Sequence, residues 1–336
     1  MQFIRKGYVA RCNNSDILNT SSSGGMFTPI AETVIDRGGV VCACALTQDL
    51  NIEHMIIEKK EDIALCRGSK YVQSSMGDCY SKLKAFLENG RYVAFFGTPC
   101  QVYGFISFLG KKYDRLFTFD LVCHGTPSPK LWKEYVAFQE TKYKGKITNV
   151  NFRSKKYGYH VASMTTDFNN NKQSCGSVRT DLMLKAFFSE ISSRPSCYMC
   201  RFKTIDRCSD ITLYDSWHAS DIVDGLKDDD RGFTNILVHT QKGMNIMTFL
   251  SNNIELYPAD YKRAIDLDGS MVCNSALPHP QRNRFYTGLG DTSLDEHIGR
   301  FVSTTLMDKI VDNFKRLFYR LGILNHIRNL IKSYHC

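Results

Sequence analysis

Tyr92-Val93-Ala94-Phe95-Phe96-Gly97-Thr98-Pro99-Cys100-Gln101 reads as a buried strand, a tight turn and the start of a helix. Its apolar residues run together without alternation, as in a strand covered on both faces. Pro99 suits a first helical turn, where a missing N–H costs nothing. Cys100 then stands at a helix N-terminus, where free amides and the macrodipole favour thiolate. Residues 116–122, followed by Cys123-His124-Gly125, repeat the theme. If the two strands are parallel neighbours, Cys100 and Cys123 emerge on one carboxyl edge, where open α/β sheets collect ligands.

The same alternation extends outward. Upstream, a helix over 26–37 stops at Gly38-Gly39, strands follow over 40–46 and 52–58, and a helix over 77–88 ends at Asn89-Gly90. Downstream, helices are expected over 99–109 and 129–142. Strands separated by such helices predict an α/β fold: a mixed sheet core with flanking helices. Beyond Ile147 the pattern becomes a β-meander, with strands over 148–153 and 159–168 and a turn at Asn169-Asn170-Asn171. A helix over 181–191 precedes Cys197-Tyr198-Met199-Cys200, and strands are expected over 211–214 and 235–240. Residues 1–300 are read as one domain, an α/β half to about residue 146 and a second half carrying the CxxC segment. Residues 301–336 form a separate tail. There Leu306, Ile310, Phe314, Leu317, Leu321, Leu324 and Ile331 oppose Lys309, Lys315, Arg316, Arg320, Arg328 and Lys332, a basic amphipathic helix. Such a helix either docks on its own domain or lies against a membrane surface or a partner.

The 336 residues are 43% apolar and 23% charged, as in an ordinary globular protein. No apolar run reaches the roughly 18–20 residues that cross a bilayer. The first residues lack a secretory signal, so a cytoplasmic setting is expected. The net charge of +9 is scattered, with only doublets such as Lys111-Lys112 and Lys155-Lys156. That scatter argues against nucleic acid and for an anionic cofactor, an acidic electron-transfer partner or a membrane surface.

Thirteen cysteines, an odd number without a secretion signal, point to metal or redox chemistry rather than disulfides. Cys42 and Cys44 sit in an apolar strand as small hydrophobes, and Cys12, Cys66, Cys79, Cys175, Cys273 and Cys336 are read the same way. Cys100, Cys123, Cys197 and Cys200 remain, two singletons and one knuckle. Four thiolates suit a [4Fe–4S] cluster or a structural zinc. Zinc would ordinarily show two knuckles, so the spacing favours a cluster, with Cys208 as substitute ligand. A rival use pairs Cys100 as nucleophile with His124 as base. Ser21-Ser22-Ser23-Gly24-Gly25 ahead of a helix offers amides and hydroxyls to an anion. Arg67-Gly68-Ser69-Lys70-Tyr71-Val72-Gln73-Ser74 adds cations and an aromatic face, and together the two loops are suited to a flavin's diphosphate and ring. No GxGxxG or Walker motif is present.

Taken in order, Ser22-Ser23-Gly24-Gly25, residues 67–74, Gly97-Thr98-Pro99-Cys100-Gln101, residues 120–129, Asn151-Phe152-Arg153 and residues 197–203 resemble the coenzyme F420 hydrogenase/dehydrogenase beta-subunit family. The resemblance covers roughly residues 8–250. It implies an oxidoreductase with FAD and a [4Fe–4S] cluster. Cys100, Cys123, Cys197 and Cys200 would be the cluster ligands, and Ser22, Ser23, Gly24, Gly25, Gly68, Ser69, Lys70, Tyr71 and Gln73 would hold the flavin. The acceptor would be a small molecule, either a deazaflavin or a substrate of polysaccharide biosynthesis. No catalytic residue is singled out. Family members often carry a ferredoxin-like module ahead of this core; here the core starts almost at Met1, so a separate ferredoxin-like electron donor is expected. The family's Gly-Asp-Phe-Trp-Gly segment reads Tyr214-Asp215-Ser216-Trp217-His218, which alters whatever pocket it faces. The alternatives are a zinc-stabilised accessory protein of glycan biosynthesis and a cysteine-nucleophile transferase.

Overall fold

The computed structural model describes residues 4–250 and 252–324. Cys336 and the end of the expected tail helix, with Arg328, Ile331 and Lys332, lie outside the described residues. The strands are β1 (Lys6–Cys12), β2 (Val40–Leu46), β3 (Ile52–Ile57), β4 (Val93–Gly97), β5 (Leu116–Leu121), β6 (Ile147–Ser154), β7 (Ser163–Phe168), β8 (Gln173–Ser177), β9 (Ile211–Ser216), β10 (Phe233–Val238) and β11 (Ile254–Ala259). Among the described residues, eight form a mixed sheet ordered β11-β1-β10-β9-β5-β4-β2-β3, and β6-β7-β8 form an antiparallel meander.

The centre of the large sheet is parallel: β2 with β4, β4 with β5, and β5 with β9. Antiparallel strands extend both sides, β3 beyond β2 and β10, β1 and β11 beyond β9. Every residue of β4 is buried. Because successive side chains alternate, Ala94 and Phe96 feed one core and Val93 and Phe95 the opposite one. Phe96 stacks on Phe119 at 4.4 Å on the first face; Phe95 meets Phe105 at 4.9 Å on the second. Helix Phe27–Ile35 covers the first face with Ile30, Ala31 and Val34; helices Cys79–Glu88 and Pro99–Leu109 cover the second with Leu83, Leu87 and Val102. Each such large side chain fully buried contributes about 1.5–3 kcal/mol.

The chain folds as two compact units. Among the described residues, one holds those up to Gly125 with Ser196–Ala276, and so the large sheet; the other holds Thr126–Pro195 with those from Leu277 to Leu324, and so the meander. Among the described residues, no helix is long and apolar enough to cross a membrane.

The expected α/β architecture is the observed one, and Val40–Leu46 and Pro99–Leu109 form as read. Other elements differ. The expected strand over 159–168 begins as a 3-10 turn, Tyr159–Val161, because Gly158 takes φ +89° just before it. The expected helix over 181–191 is Leu182–Phe188, with the Asp181 carboxylate capping it at Leu184 N. β1, β8 and β11 carry no strong alternation and were not signalled by the sequence. Cys12, Cys42, Cys66 and Cys79 are buried as expected. Cys273 is not: it is exposed at the end of the one-turn helix Ser270–Cys273, whose buried residue is Val272.

Candidate functional site

β4 and β5 are parallel neighbours, so Cys100 and Cys123 do leave the sheet at the same edge. β9 runs parallel to β5 and delivers Trp217 and His218 there. β1 is antiparallel to β10, itself antiparallel to β9, so β1 points the same way and leads towards the 21–25 loop.

Cys100 lies in the first turn of helix Pro99–Leu109, its Sγ 3.1 Å from Thr98 Oγ1. Gln101 Oε1 accepts from Thr98 N at 2.9 Å, which fixes the turn. The segment carrying Cys197 and Cys200 is tied to this edge from several sides. Lys203 Nζ donates to the carbonyls of Cys123 and Met271. Cys200 N donates to Ser275 Oγ at 3.1 Å. Phe202 packs on Tyr103, one turn beyond Cys100, at 5.1 Å. Arg207 reaches the fully buried Asp120 of β5 at 3.4 Å and donates to the carbonyls of Thr204 and Val272.

Burial pushes the Cys123 thiol up to about 12; Lys203 opposes this, and the neighbouring Cys100 and Cys197 add to it. Burial lowers Lys203 from the ordinary lysine range, with Cys123, Cys200 and Cys197 acting the other way. All four candidate ligands therefore stand in the electrostatic neighbourhood of Lys203 or of one another. They fit a thiolate-bound centre by chemistry and by neighbourhood, not by coordination geometry: among the described residues, no three Cys, His, Asp or Glu side chains converge to hold a metal ion. Cys208 is exposed.

The two candidate flavin loops touch each other. Ser69 N donates to Ser22 Oγ at 2.8 Å, and Arg67 donates to Thr20 Oγ1 and Thr28 Oγ1. Gly68 at φ +85° and Gly25 at φ +77° take left-handed backbone that a side chain would strain. A Cβ on Gly24 would stand 2.5 Å from Ala10 O, so only glycine lets the loop lie against β1. Ser23 Oγ donates to Phe233 O, and Gly24 N to Thr234 Oγ1. Met26, at the N-cap of helix Phe27–Ile35, makes no side-chain cap hydrogen bond, and Pro29 in the first turn has no N–H to satisfy. Lys70 Nζ is directed to the carbonyls of Cys66 and Arg67, closing the end of helix Ile63–Cys66. Tyr71 and Gln73 are half-buried in the irregular stretch that follows. Gln101 Nε2 donates to Ser74 Oγ at 2.9 Å, joining this loop to the Cys100 turn.

Sequence reasoning missed one constellation here. His218 Nδ1 lies 2.7 Å from Asp268 Oδ1, and His218 N donates to Asp268 Oδ2. Asp268 is fully buried in its side chain, while His218 is 38% exposed. Asn235 Nδ2 donates to both Asp268 and Asp215 O. A buried carboxylate on Nδ1 fixes the ring and its tautomer, leaving Nε2 for a bound molecule. Phe233 and Thr234, which hold the 21–25 loop, are register partners of Ser216 and Asp215, so the pair sits one strand from that loop. The buried Asn235 Oδ1 and Ser216 Oγ have no hydrogen-bond partner among the described residues, the condition a polar ligand or water relieves. The one sequence signal was His218 in place of the family's glycine; Asp268 lies fifty positions on, with no local motif.

Fold and site together define an α/β protein that gathers thiols, glycine–serine loops and a carboxylate-held imidazole at the carboxyl edge of one sheet. The family model for the coenzyme F420 hydrogenase/dehydrogenase beta subunit N-terminus matches residues 7–79, and the model for its C terminus matches residues 90–262. The chain belongs to the coenzyme F420 hydrogenase/dehydrogenase beta-subunit family, as its motifs implied, and so to a family of oxidoreductase subunits. A chain of the F420-reducing [NiFe] hydrogenase complex from Methanosarcina barkeri, solved after xenon derivatization, is similar in fold. The TM-score is 0.55 at 17% identity, over 80% of this chain and 87% of that one. No curated protein matches the chain.

Proposed function

We propose that the chain is an iron–sulfur flavoprotein oxidoreductase. The observation that carries this reading is that Cys123, Cys197 and Cys200 neighbour Lys203 and Cys100 neighbours Cys123, at the sheet edge shared with the joined 21–25 and 67–74 loops. In this reading the four cysteines hold a [4Fe–4S] cluster; Ser22, Ser23, Gly24, Gly25, Gly68, Ser69, Lys70, Tyr71 and Gln73 line the FAD site. When bound, the cluster would supply one-electron transfer and the flavin the link to two-electron chemistry. Lys203 offsets thiolate charge near Cys123, and the 21–25 loop ahead of helix Phe27–Ile35 receives the diphosphate. His218, oriented by Asp268, holds or releases a proton at Nε2 for a small-molecule acceptor, of deazaflavin type or from a polysaccharide pathway. The wider reading takes residues 1–300 as the cofactor domain, in a cytoplasmic protein that binds no nucleic acid. It receives electrons from a separate ferredoxin-like protein, as the hydrogenase chain similar in fold works within a complex. Attachment to a membrane surface through the C-terminal helix belongs to the same reading.

Anaerobic purification with metal and flavin analysis tests the core of it. The expected protein is brown, carries about four iron per chain and releases FAD on denaturation. Cys197→Ser and Cys123→Ser are expected to lose iron; unchanged iron content removes those residues from the ligand set. Colourless protein with stoichiometric zinc overturns the electron-transfer reading in favour of a zinc-stabilised scaffold. Metal content untouched by Cys100→Ser, with activity lost, favours the cysteine-nucleophile transferase.

A further inference from the structure

Helix Leu306–Arg320 docks on its own unit in the unusual sense, polar face inward. Asp312 is buried and accepts from Ser177 Oγ at 2.7 Å and from Thr180 Oγ1 at 2.5 Å. Asp308 pairs with Arg179 at 3.2 Å, Arg316 donates to Cys175 O at 2.8 Å, and Tyr319 meets Tyr157 edge-on at 6.0 Å. At 3.6 residues per turn, these side chains share one side of the helix. The opposite side carries Leu306, Met307, Ile310, Phe314 and Leu317, continued by Leu321 just past the helix, and all six are exposed. Leu306 is 74% and Leu321 61% exposed, where a docked amphipathic helix would bury them.

Charge identifies what covers this stripe. Both acidic residues of the helix, Asp308 and Asp312, are engaged in docking. From Asn313 to the last residue the sequence carries Lys315, Arg316, Arg320, Arg328 and Lys332 and no Asp or Glu. Lys309 and Arg320 are exposed and border the apolar stripe on the helix surface. A second copy of this helix would bring like charges together with no acid to pair them, the reverse of what a helical seam needs. An anionic lipid surface satisfies both features: apolar side chains enter the acyl boundary and flanking cations meet the headgroups. We propose that the outward apolar face of helix Leu306–Arg320 seats this protein on anionic membrane surfaces, without spanning them. This rests on the peripheral-attachment part of the proposed function and is independent of cofactor content.

The test is co-sedimentation of the full chain with vesicles of phosphatidylcholine, with or without about 30% phosphatidylserine. Binding is expected to the anionic vesicles, at least about tenfold weaker to the neutral ones, and lowered by salt at about 0.5 M. Phe314→Ser with Leu317→Ser is expected to remove binding, and Lys309→Glu with Arg320→Glu to weaken it on the order of fivefold per charge. Far-UV circular dichroism and iron and flavin content, unchanged in these variants, keep lipid binding separate from the oxidoreductase reading. No binding to anionic vesicles, or binding indifferent to the apolar variants, overturns the proposal. So does a dimer by light scattering that Phe314→Ser with Leu317→Ser makes monomeric, since a second copy would then own the face.

Discussion

At the carboxyl edge of the large sheet, Arg207 reaches inward to Asp120 and Lys203 to the Cys123 carbonyl, so charge is placed inside the unit. Along helix Leu306–Arg320, charge is again placed inside, with Asp312 under Ser177 and Thr180, but the apolar side chains are left outside. In the first region the buried polar groups tie the segment carrying Cys197 and Cys200 to the sheet edge. In the second they do no more than fasten a helix, and the face that would ordinarily fasten it is released for another surface. Burying charge is costly in both, and in both the buried carboxylate is met by donors, Arg207 at Asp120 and the hydroxyls of Ser177 and Thr180 at Asp312.

Titration gives the largest contrast between the two units. Burial lowers His54 and His239 of the sheet unit to about 4. Their stabilising effect is complete above the unfolded value of about 6.5 and is lost as pH falls towards 4, about 3 kcal/mol per ring. Asp181 of the meander unit is raised by burial to about 6, so its effect has the opposite sign. It is complete below the unfolded value of about 4 and is lost as pH rises through 6. Hydrogen exchange between pH 4 and 7 should show β3 and β10 gaining protection with rising pH while helix Leu182–Phe188 loses it. Asp181→Asn should flatten the second slope alone; parallel slopes in both units would break the contrast.

Next in size is Arg207→Ala. It leaves Asp120 buried without its countercharge, an expected loss of about 3–5 kcal/mol by chemical denaturation. Asp120→Asn in the same chain should recover part of the loss; no recovery would mean that Arg207 acts through its Thr204 and Val272 carbonyl contacts instead. The smallest effect is expected from Asp312→Ala, about 1–3 kcal/mol from the lost charged hydrogen bonds. Faster proteolysis at the C-terminal helix with the sheet unaffected would sharpen the comparison, and an equal loss across both units would blunt it.

Much of the site was legible in short stretches. Thr98-Pro99-Cys100-Gln101 encodes its own helix start, and the alternation in Val93-Ala94-Phe95-Phe96 feeds both cores, because strand and helix signals act over a few residues. The loops of Ser22 and Ser69 were found separately by composition, yet the hydrogen bond joining them spans 47 positions. His218–Asp268 and Asp120–Arg207 stayed hidden for the same reason: partners 50 and 87 positions apart leave no periodic trace.

The sequence by itself determined the α/β class, the thiols at strand ends, the family and the amphipathic character of the last helix. These rest on local sterics, capping and side-chain periodicity, which every segment carries with it. Tertiary structure alone decided that β9 would lie beside β5, that Lys203 and Arg207 would anchor the CxxC segment there, and which face of helix Leu306–Arg320 would be covered. An amphipathic pattern specifies two faces but not their partners. Here the hydroxyls of Ser177 and Thr180 claimed the polar one and left the apolar one exposed.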